Sequence, residues 1–258
     1  MKCPPTVSRI DDRRRCRRMG LLVLCSCAWS AGVVAAAAEP PLAANLDADP
    51  QLMGWWKFDD PSGTVAADSS KHGRHGELTG GMTFDKNSVP GRIGKALNLD
   101  GTDGLVRIAG YKGITGTGPR TICAWIKTAN PKGDIVSWGK DDFGQMWILR
   151  FIRGHLGVTP HGGYYYMAAD VHDNAWHHVA AVVRQAELPN LHDDVTVYLD
   201  GKIAEPHPIG LLDMWPIETG EKQEVTIGKG FQGSLDDLRI YARALSEEEV
   251  QTLSRPAK

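Results

Sequence analysis

Residues 233–246 read Gly233-Ser234-Leu235-Asp236-Asp237-Leu238-Arg239-Ile240-Tyr241-Ala242-Arg243-Ala244-Leu245-Ser246. The stretch 234–241 has the composition of a strand. Simple alternation puts Asp236 on one face with Leu238 and Ile240, and Asp237 on the other with Arg239. A carboxylate on an apolar face costs several kcal/mol unless it is paired or metal-bound. Asp236 is therefore the best single candidate for a metal ligand. Directly afterwards, Ser246-Glu247-Glu248-Glu249-Val250 is a capping box. The acidic run suits the positive end of a helix, and Leu245, Val250 and Leu253 supply one apolar edge. The whole stretch predicts a long strand followed by a short terminal helix lying on a sheet.

Working outward, strand signals recur along the rest of the chain. Candidates are 54–58, 82–85, 96–99, 105–108, 120–128, 134–138, 146–152, 155–159, 164–168, 176–184, 195–199 and 225–227. They are rich in Val, Ile, Trp, Tyr and Thr, with Gly, Asp, Asn and Pro clusters between them. Asp200-Gly201 is a two-residue hairpin turn between 195–199 and 202–204. No stretch alternates helix with strand, which excludes a doubly wound α/β fold. The fold class expected is all-β: two packed antiparallel sheets, a sandwich or jelly roll, with a short C-terminal helix. Inward positions are Trp56 and Phe58, then Ile122, Ala124 and Ile126, then Val179, Ala181 and Val183. Trp55, Trp125 and Trp176 also belong to packing. With Gly 29, Pro 15 and 42% hydrophobic residues, collagen and wholesale disorder are excluded.

The net charge of −2 is unevenly spread. Residues 1–38 hold seven of the 29 basic side chains and two of the 31 acidic ones, which leaves 22 basic against 29 acidic, a net of −7, for the remainder. A nucleic-acid partner would need a basic footprint that this remainder lacks. The Arg-rich start, the uncharged stretch 20–38 and Ala35-Ala36-Ala37-Ala38 before Glu39 read as a secretory signal peptide cut after Ala38, with Met19 as an alternative start. A transmembrane anchor is the alternative reading, since the run is long enough to span but poor in Leu. Cys27 offers a less favoured lipid-anchored one. Residues 39–51, rich in Ala and Pro, read as a linker and 52–258 as one domain. Once the leader is removed no membrane span is expected, and the protein is placed outside the cell, in the periplasm or at the cell envelope. Four of the five cysteines lie in the leader. Cys123 remains in an apolar strand as a buried, inert thiol, so no internal disulfide forms.

Several segments, in order, resemble the laminin-G-like jelly-roll domain of the concanavalin A-like lectin/glucanase superfamily. They are Gly54-Trp55-Trp56-Lys57-Phe58-Asp59-Asp60 with Ser62-Gly63-Thr64, and Ala67-Asp68-Ser69-Ser70-Lys71-His72-Gly73-Arg74-His75-Gly76. Next come Gly94-Lys95-Ala96-Leu97, Leu99-Asp100-Gly101-Thr102-Asp103 and Ile122-Cys123-Ala124-Trp125-Ile126. The remainder are Trp176-His177-His178-Val179-Ala180, Val197-Tyr198-Leu199-Asp200-Gly201 and the stretch 233–246. The resemblance covers nearly all of 52–253. It implies a two-sheet jelly roll in secreted bacterial proteins, and a structural calcium in some members. It implies no single activity, because the fold carries lectins, glycanases and interaction modules. Lys71-His72 departs from the Gly-Asn often found there, which puts the tip of that loop in question as an ion or ligand site.

Calcium takes about six to eight oxygens. Asp236, with Asp68 in its Gly/Ser-rich loop and Asp59 just after the first strand, is the candidate cluster. The alternative is that Asp68 caps its own turn and Asp236 bonds a neighbouring loop. His72 and His75, and the adjacent His177 and His178, lack zinc spacing and read as packing and surface residues. The ten glutamates show neither E-x-D-x-E nor E-x-D-x-x-E, and no G-x-S-x-G elbow is present. Sugar recognition needs exposed aromatic planes with polar groups beside them. Tyr165, Trp215, Phe143 and Trp147 are the candidate aromatic contacts, with Asp141, Asp142, His161 and Arg150 as polar partners. The expected function is a secreted, non-catalytic binding module for carbohydrate or an extracellular protein, with a structural Ca2+. A glycoside hydrolase of the same fold and an envelope interaction domain without a sugar ligand are the alternatives.

Overall fold

A computed structural model describes residues 45–255. The expected leader, and the expected linker up to residue 44, lie outside the described residues. The chain forms two antiparallel sheets packed face to face. The eight-stranded sheet runs Lys202–Ile203, Val195–Leu199, Trp176–Val183, Arg120–Lys127, Gln232–Tyr241, Lys95–Asp100 and Ser88–Pro90, with Leu52–Trp56 also pairing Gln232–Tyr241. The nine-stranded sheet runs Pro206–Leu212, Tyr164–Met167, His155–Thr159, Met146–Ile152, Asp134–Gly139, Gln223–Ile227, Val106–Ile108, Gly76–Leu78 and Val65–Ala66. The expected sandwich is what forms. Asp200 and Gly201 both take positive φ, 51° and 78°, in the hairpin turn that Asp-Gly predicts.

One expected strand is absent. Residues 82–85 do not extend; Phe84–Asn87 forms a single helical turn instead. Only Phe84 of that turn is buried. The polar Asp85-Lys86-Asn87 gives a strand no second side chain to bury, and Asn87 Oδ1 accepts the Thr83 N–H at 3.2 Å. The short strands Val65–Ala66, Gly76–Leu78 and Ser88–Pro90, and the longer Pro206–Leu212, are additional to those expected. So are the single turn Leu191–Asp194 and the 3-10 turn Leu46–Ala48.

Every inward position expected from alternation lies in the main core between the sheets. A second apolar cluster covers the outer face of the eight-stranded sheet. There, helix Glu247–Leu253 lays Val250 and Leu253 on Cys123, Ala180, Val182 and Tyr198. Leu46, from within the expected linker, completes this cover, and Asp47 and Asp49 pair with Arg239 and Arg243 at 2.6 Å each. Burial pushes the Cys123 thiol up to about 12, which keeps it protonated. The helix opens with the expected capping box of Ser246 and Glu249.

The phase of Gln232–Tyr241 differs from simple alternation. Its pairing with Arg120–Lys127 shifts register between Asp236 and Arg239, and Asp237 takes φ 49°. This is a β-bulge. Leu235, Leu238 and Ile240 all face the main core. Asp236 is opposite Trp125 on the other side, not on the face of Leu238 as expected. It is buried all the same, because the turn 91–94 closes over it. Asp237 accepts from the Trp55 indole N–H and pairs with Arg239 at 3.2 Å. The Arg239 guanidinium lies 4.0 Å from the centre of the Trp55 ring.

His178 is buried on this outer face, edge-on to Trp125 at 5.3 Å. Burial pulls its pKa down to about 4. Below pH 6.5 the unfolded chain takes up a proton that folded His178 refuses until about pH 4. Its contribution to stability is thus lost as pH falls through that window, by roughly 3 kcal/mol in all. Urea denaturation from pH 7 to pH 4 should show a shallower stability loss for His178→Gln than for the parent chain.

Candidate functional site

Three connections meet at one end of the nine-stranded sheet. The first is the turn 140–145. Asp142 organises it by accepting from the Phe143 N–H at 2.9 Å, Lys140 Nζ at 3.0 Å and Gln145 Nε2 at 3.4 Å. The second is the turn 159–163. Thr159 Oγ1 accepts from the His161 N–H and donates to the Gly163 carbonyl. The two turns are joined by the Gly144 N–H on the His161 carbonyl at 2.9 Å. The third is the loop 213–220. Its base is tied by a reciprocal pair between Thr219 and Gly116 and by the Glu218 N–H on the Gly144 carbonyl. Buried Arg120 fixes that base further, donating to Thr219 Oγ1 and to the carbonyls of Ile114, Gly116 and Gly118.

This scaffold brings Phe143 and Trp215 into a stack. Their ring centres are 5.5 Å apart and their planes differ by 11°. His161 meets Phe143 edge-on at 5.3 Å, and its Nδ1 lies 2.9 Å from Asp141 Oδ1. The rings are not core residues: Phe143 is 55% exposed and Trp215 44%. Gly162, at φ 89°, sits against both rings. A Cβ there would come within 2.4 Å of Phe143 and 2.9 Å of Trp215. The platform is thus braced by main-chain bonds before any ligand arrives, which lowers the ordering cost of binding. Lys140, and then the Phe143 N–H, hold the Asp142 carboxyl below the usual carboxylate range. It stays ionised near neutrality.

Of the eight candidate contacts, the structure brings together Phe143, Trp215, His161, Asp141 and Asp142. It separates the other three. Trp147 is fully buried in the main core beside Leu149 and Phe151, because the strand Met146–Ile152 turns its odd-numbered residues inward. Tyr165 is likewise a core residue. The alternation turns Tyr165 and Met167 inward and Tyr164 outward. Arg150 lies on the outer face of the sheet, paired through Nε with Asp134 at 3.2 Å. Met214, 60% exposed beside Trp215, belongs to the same surface and follows in the loop Met214-Trp215-Pro216.

A larger cavity of about 620 Å³ lies elsewhere, lined by Asn98, Lys127, Thr128, Asn130, Asn174 and Gln232 among others. It has no aromatic ring in its lining, and Asn130 and Gln232 bond each other at 2.7 Å.

The three carboxylates proposed for calcium do not converge. Asp68 accepts from the N–H groups of Trp55, Ser70 and Arg74 and from Ser70 Oγ, so it holds its own loop together. Among the described residues, no group of three or more His, Cys, Asp or Glu is arranged to hold a metal. Asp236 and Asp59 do share one neighbourhood, the turn 91–95. Asp236 Oδ2 accepts from Arg92 and Ile93, and Asp59 Oδ1 accepts from the Lys95 N–H at 2.6 Å. A Cβ on Gly94 would sit 2.4 Å from Asp59, and one on Gly91 2.7 Å from Asp236. Asp236 Oδ1 is buried with no hydrogen-bond partner. Burial pushes this carboxyl up to about 7, and the charges of Asp237 and Asp59 add to the rise. An orphaned buried oxygen beside a second carboxylate and a tight glycine turn fits an oxygen-seeking cation such as calcium. Among the described residues, neither His72 with His75 nor His177 with His178 belongs to a group arranged to hold a metal. His177 bridges Asp173 and Asp200, and His75 Nδ1 accepts the Asp68 N–H.

A laminin G family model of the concanavalin A-like lectin/glucanases superfamily matches residues 100–251. The chain belongs to this superfamily. No curated protein matches the sequence. Among solved structures, domain 4 of AbnA, a GH43 extracellular arabinanase from Geobacillus stearothermophilus in complex with arabinotriose, is 21% identical with a TM-score of 0.58. That alignment covers 80% of this chain and 98% of the domain. The binding domain of Paraclostridial Mosquitocidal Protein 1 is 18% identical over 79% of this chain and 52% of its own, with a TM-score of 0.49. Trypanosoma rangeli sialidase is 15% identical over 79% of this chain and 32% of its own, at 0.45. At 21% identity the likeness to the arabinanase domain is one of fold.

The division between platform and core is open to measurement. Trp147→Ala should lose about 3–5 kcal/mol of stability in urea denaturation, as a buried aromatic does. Trp215→Ala should change it by less than about 1 kcal/mol.

Proposed function

We propose that this protein is an exported, non-catalytic binding module that takes carbohydrate on the Phe143–Trp215 platform. The observation that carries the reading is the exposed stack itself, held by three braced loops, with Asp141, Asp142 and His161 beside it. Flat aromatic surface packs against the C–H face of a sugar ring, and flanking carboxylate and imidazole groups bond its hydroxyls. A glycosidase general acid must be protonated near neutrality. Asp142 does not meet that requirement, since Lys140 and the Phe143 N–H hold its carboxyl below the usual range. The arabinotriose bound to domain 4 of AbnA is a parallel at the level of fold. Export rests on the leader pattern of residues 1–38. On a glycan array, the full chain should retain oligosaccharides that Trp215→Ala releases with at least a tenfold loss of affinity. A parent chain that retains no glycan, or a Trp215→Ala chain that binds equally well, overturns the reading.

A second reading has an observation of its own. Ile209, Leu211, Leu212 and Met214 are exposed along the edge strand Pro206–Leu212 and the loop after it. Exposed apolar side chains along an edge strand suit a protein partner. Binding to an extracellular protein without any glycan retention would favour it.

We also propose a structural calcium ion held by Asp236 Oδ1 and the Asp59 carboxylate. The ion would neutralise the buried charge of Asp236 and tie the first strand to the long strand Gln232–Tyr241. The melting temperature should rise by several degrees on adding excess calcium after chelation, and Asp236→Asn should abolish the rise. Equal melting temperatures with chelator and with calcium would remove the ion from the proposal.

A further inference from the structure

We propose that the glycan taken by this module is acidic, with a carboxylate or sulfate group of the sugar chain seated between Arg150 and Arg153. The proposal rests on the carbohydrate reading above and adds the chemical class of the ligand.

A cavity of about 300 Å³ opens on the outer face of the nine-stranded sheet, lined by Arg150, Ile152, Arg153, Thr159, Gly163 and Tyr164 among others. It is separated from the aromatic platform by one turn. Thr159 and Gly163, which line it, are the two ends of the turn whose middle residues, His161 and Gly162, touch Phe143 and Trp215. A sugar chain stacked on the platform therefore reaches the cavity within a residue or two.

The polar side chains around this cavity are chiefly donors. Arg150 is held through Nε by Asp134 at 3.2 Å, and its two terminal nitrogens make no hydrogen bond among the described residues. Arg153 makes no ion pair or hydrogen bond among the described residues. Its guanidinium lies 5.4 Å from the centre of the Tyr164 ring. It projects from the hairpin turn between Met146–Ile152 and His155–Thr159 at φ 52°, followed by Gly154. The Thr159 hydroxyl proton is already committed to the Gly163 carbonyl. Neutral sugar hydroxyls are matched by mixed donors and acceptors. A wall of guanidinium N–H groups instead matches a group that only accepts, and the planar fork of Arg fits carboxylate and sulfate oxygens in pairs.

Charge points the same way. Two arginines share a small cavity on a domain whose net charge is −7 from residue 39 onward. Asp134 offsets one of them, and Lys229 adds to the positive field around Asp134. Among the described residues, Arg153 makes no bond that braces the fold as Arg120 and Arg239 do, and Arg150 makes only its ion pair with Asp134. An anion placed in the cavity is attracted by both guanidinium charges.

The test is isothermal titration of the full chain with oligogalacturonate, oligoalginate and a sulfated galactan oligomer. Each is compared with its carboxyl-reduced or desulfated counterpart. At least one acidic oligomer should bind tenfold or more tighter than its neutral counterpart, and the carboxylate and sulfate arms tell which group is seated. Arg153→Gln should remove most of that preference while leaving the affinity for the neutral oligomer within about twofold and the melting temperature unchanged. Arg150→Lys, which keeps the charge opposite Asp134 but loses the fork, should reduce the preference in part. Neutral oligomers binding as tightly as acidic ones, or an Arg153→Gln chain with the full preference, overturn the proposal and leave the carbohydrate reading standing. Failure of both acidic and neutral glycans, with no effect of Trp215→Ala, overturns both.

Discussion

The fold depends on the bulge at Asp236 and Asp237 in the strand Gln232–Tyr241. This strand pairs with Arg120–Lys127, Lys95–Asp100 and Leu52–Trp56 at once, so its phase sets which side chains three neighbours turn toward the core. Without the extra residue, Leu235 and Leu238 would face opposite sides. With it, both reach the core between the sheets, and two consecutive carboxylates are left on the outer side. Asp237 is satisfied there by Trp55 and Arg239. Asp236 is left with one satisfied oxygen and one bare one. The register of the sandwich and the bare buried oxygen of Asp236 thus have one origin.

Much of this was legible in the residues. Alternation over 120–128 and 176–184 gave the inner face because both strands carry apolar side chains on the buried side at every second position. The capping box placed the terminal helix because its two hydrogen bonds are local. The bulge was not legible, since Asp-Asp within a strand looks the same whether or not an extra residue is inserted. Short strands such as Gly76–Leu78 and Val65–Ala66 were missed because two or three residues carry no period. The apparent linker packs from Leu46 onward because one leucine and two aspartates find partners far away in sequence.

The candidate site divides along similar lines. Phe143, Trp215 and His161 sit in turns, where exposure follows from Gly and Pro neighbours. Trp147 and Tyr165 sit in strands, where phase decides. That phase had a signal. Arg150 is on the outer face, so residues 147, 149 and 151 must be inward, and Met167 marks the inward set that includes Tyr165. Trp147 and Tyr165 go astray as contacts because a strand makes neighbours into opposites.

The cover on the eight-stranded sheet has a topological consequence. Asn45 and Leu46 border the same cavity as Thr252, Leu253 and Arg255. The two ends of the described chain therefore leave the sandwich side by side. A body whose entrance and exit coincide can be spliced into a loop of a larger polypeptide, or cut open elsewhere and rejoined there by a few residues, without redrawing any strand order.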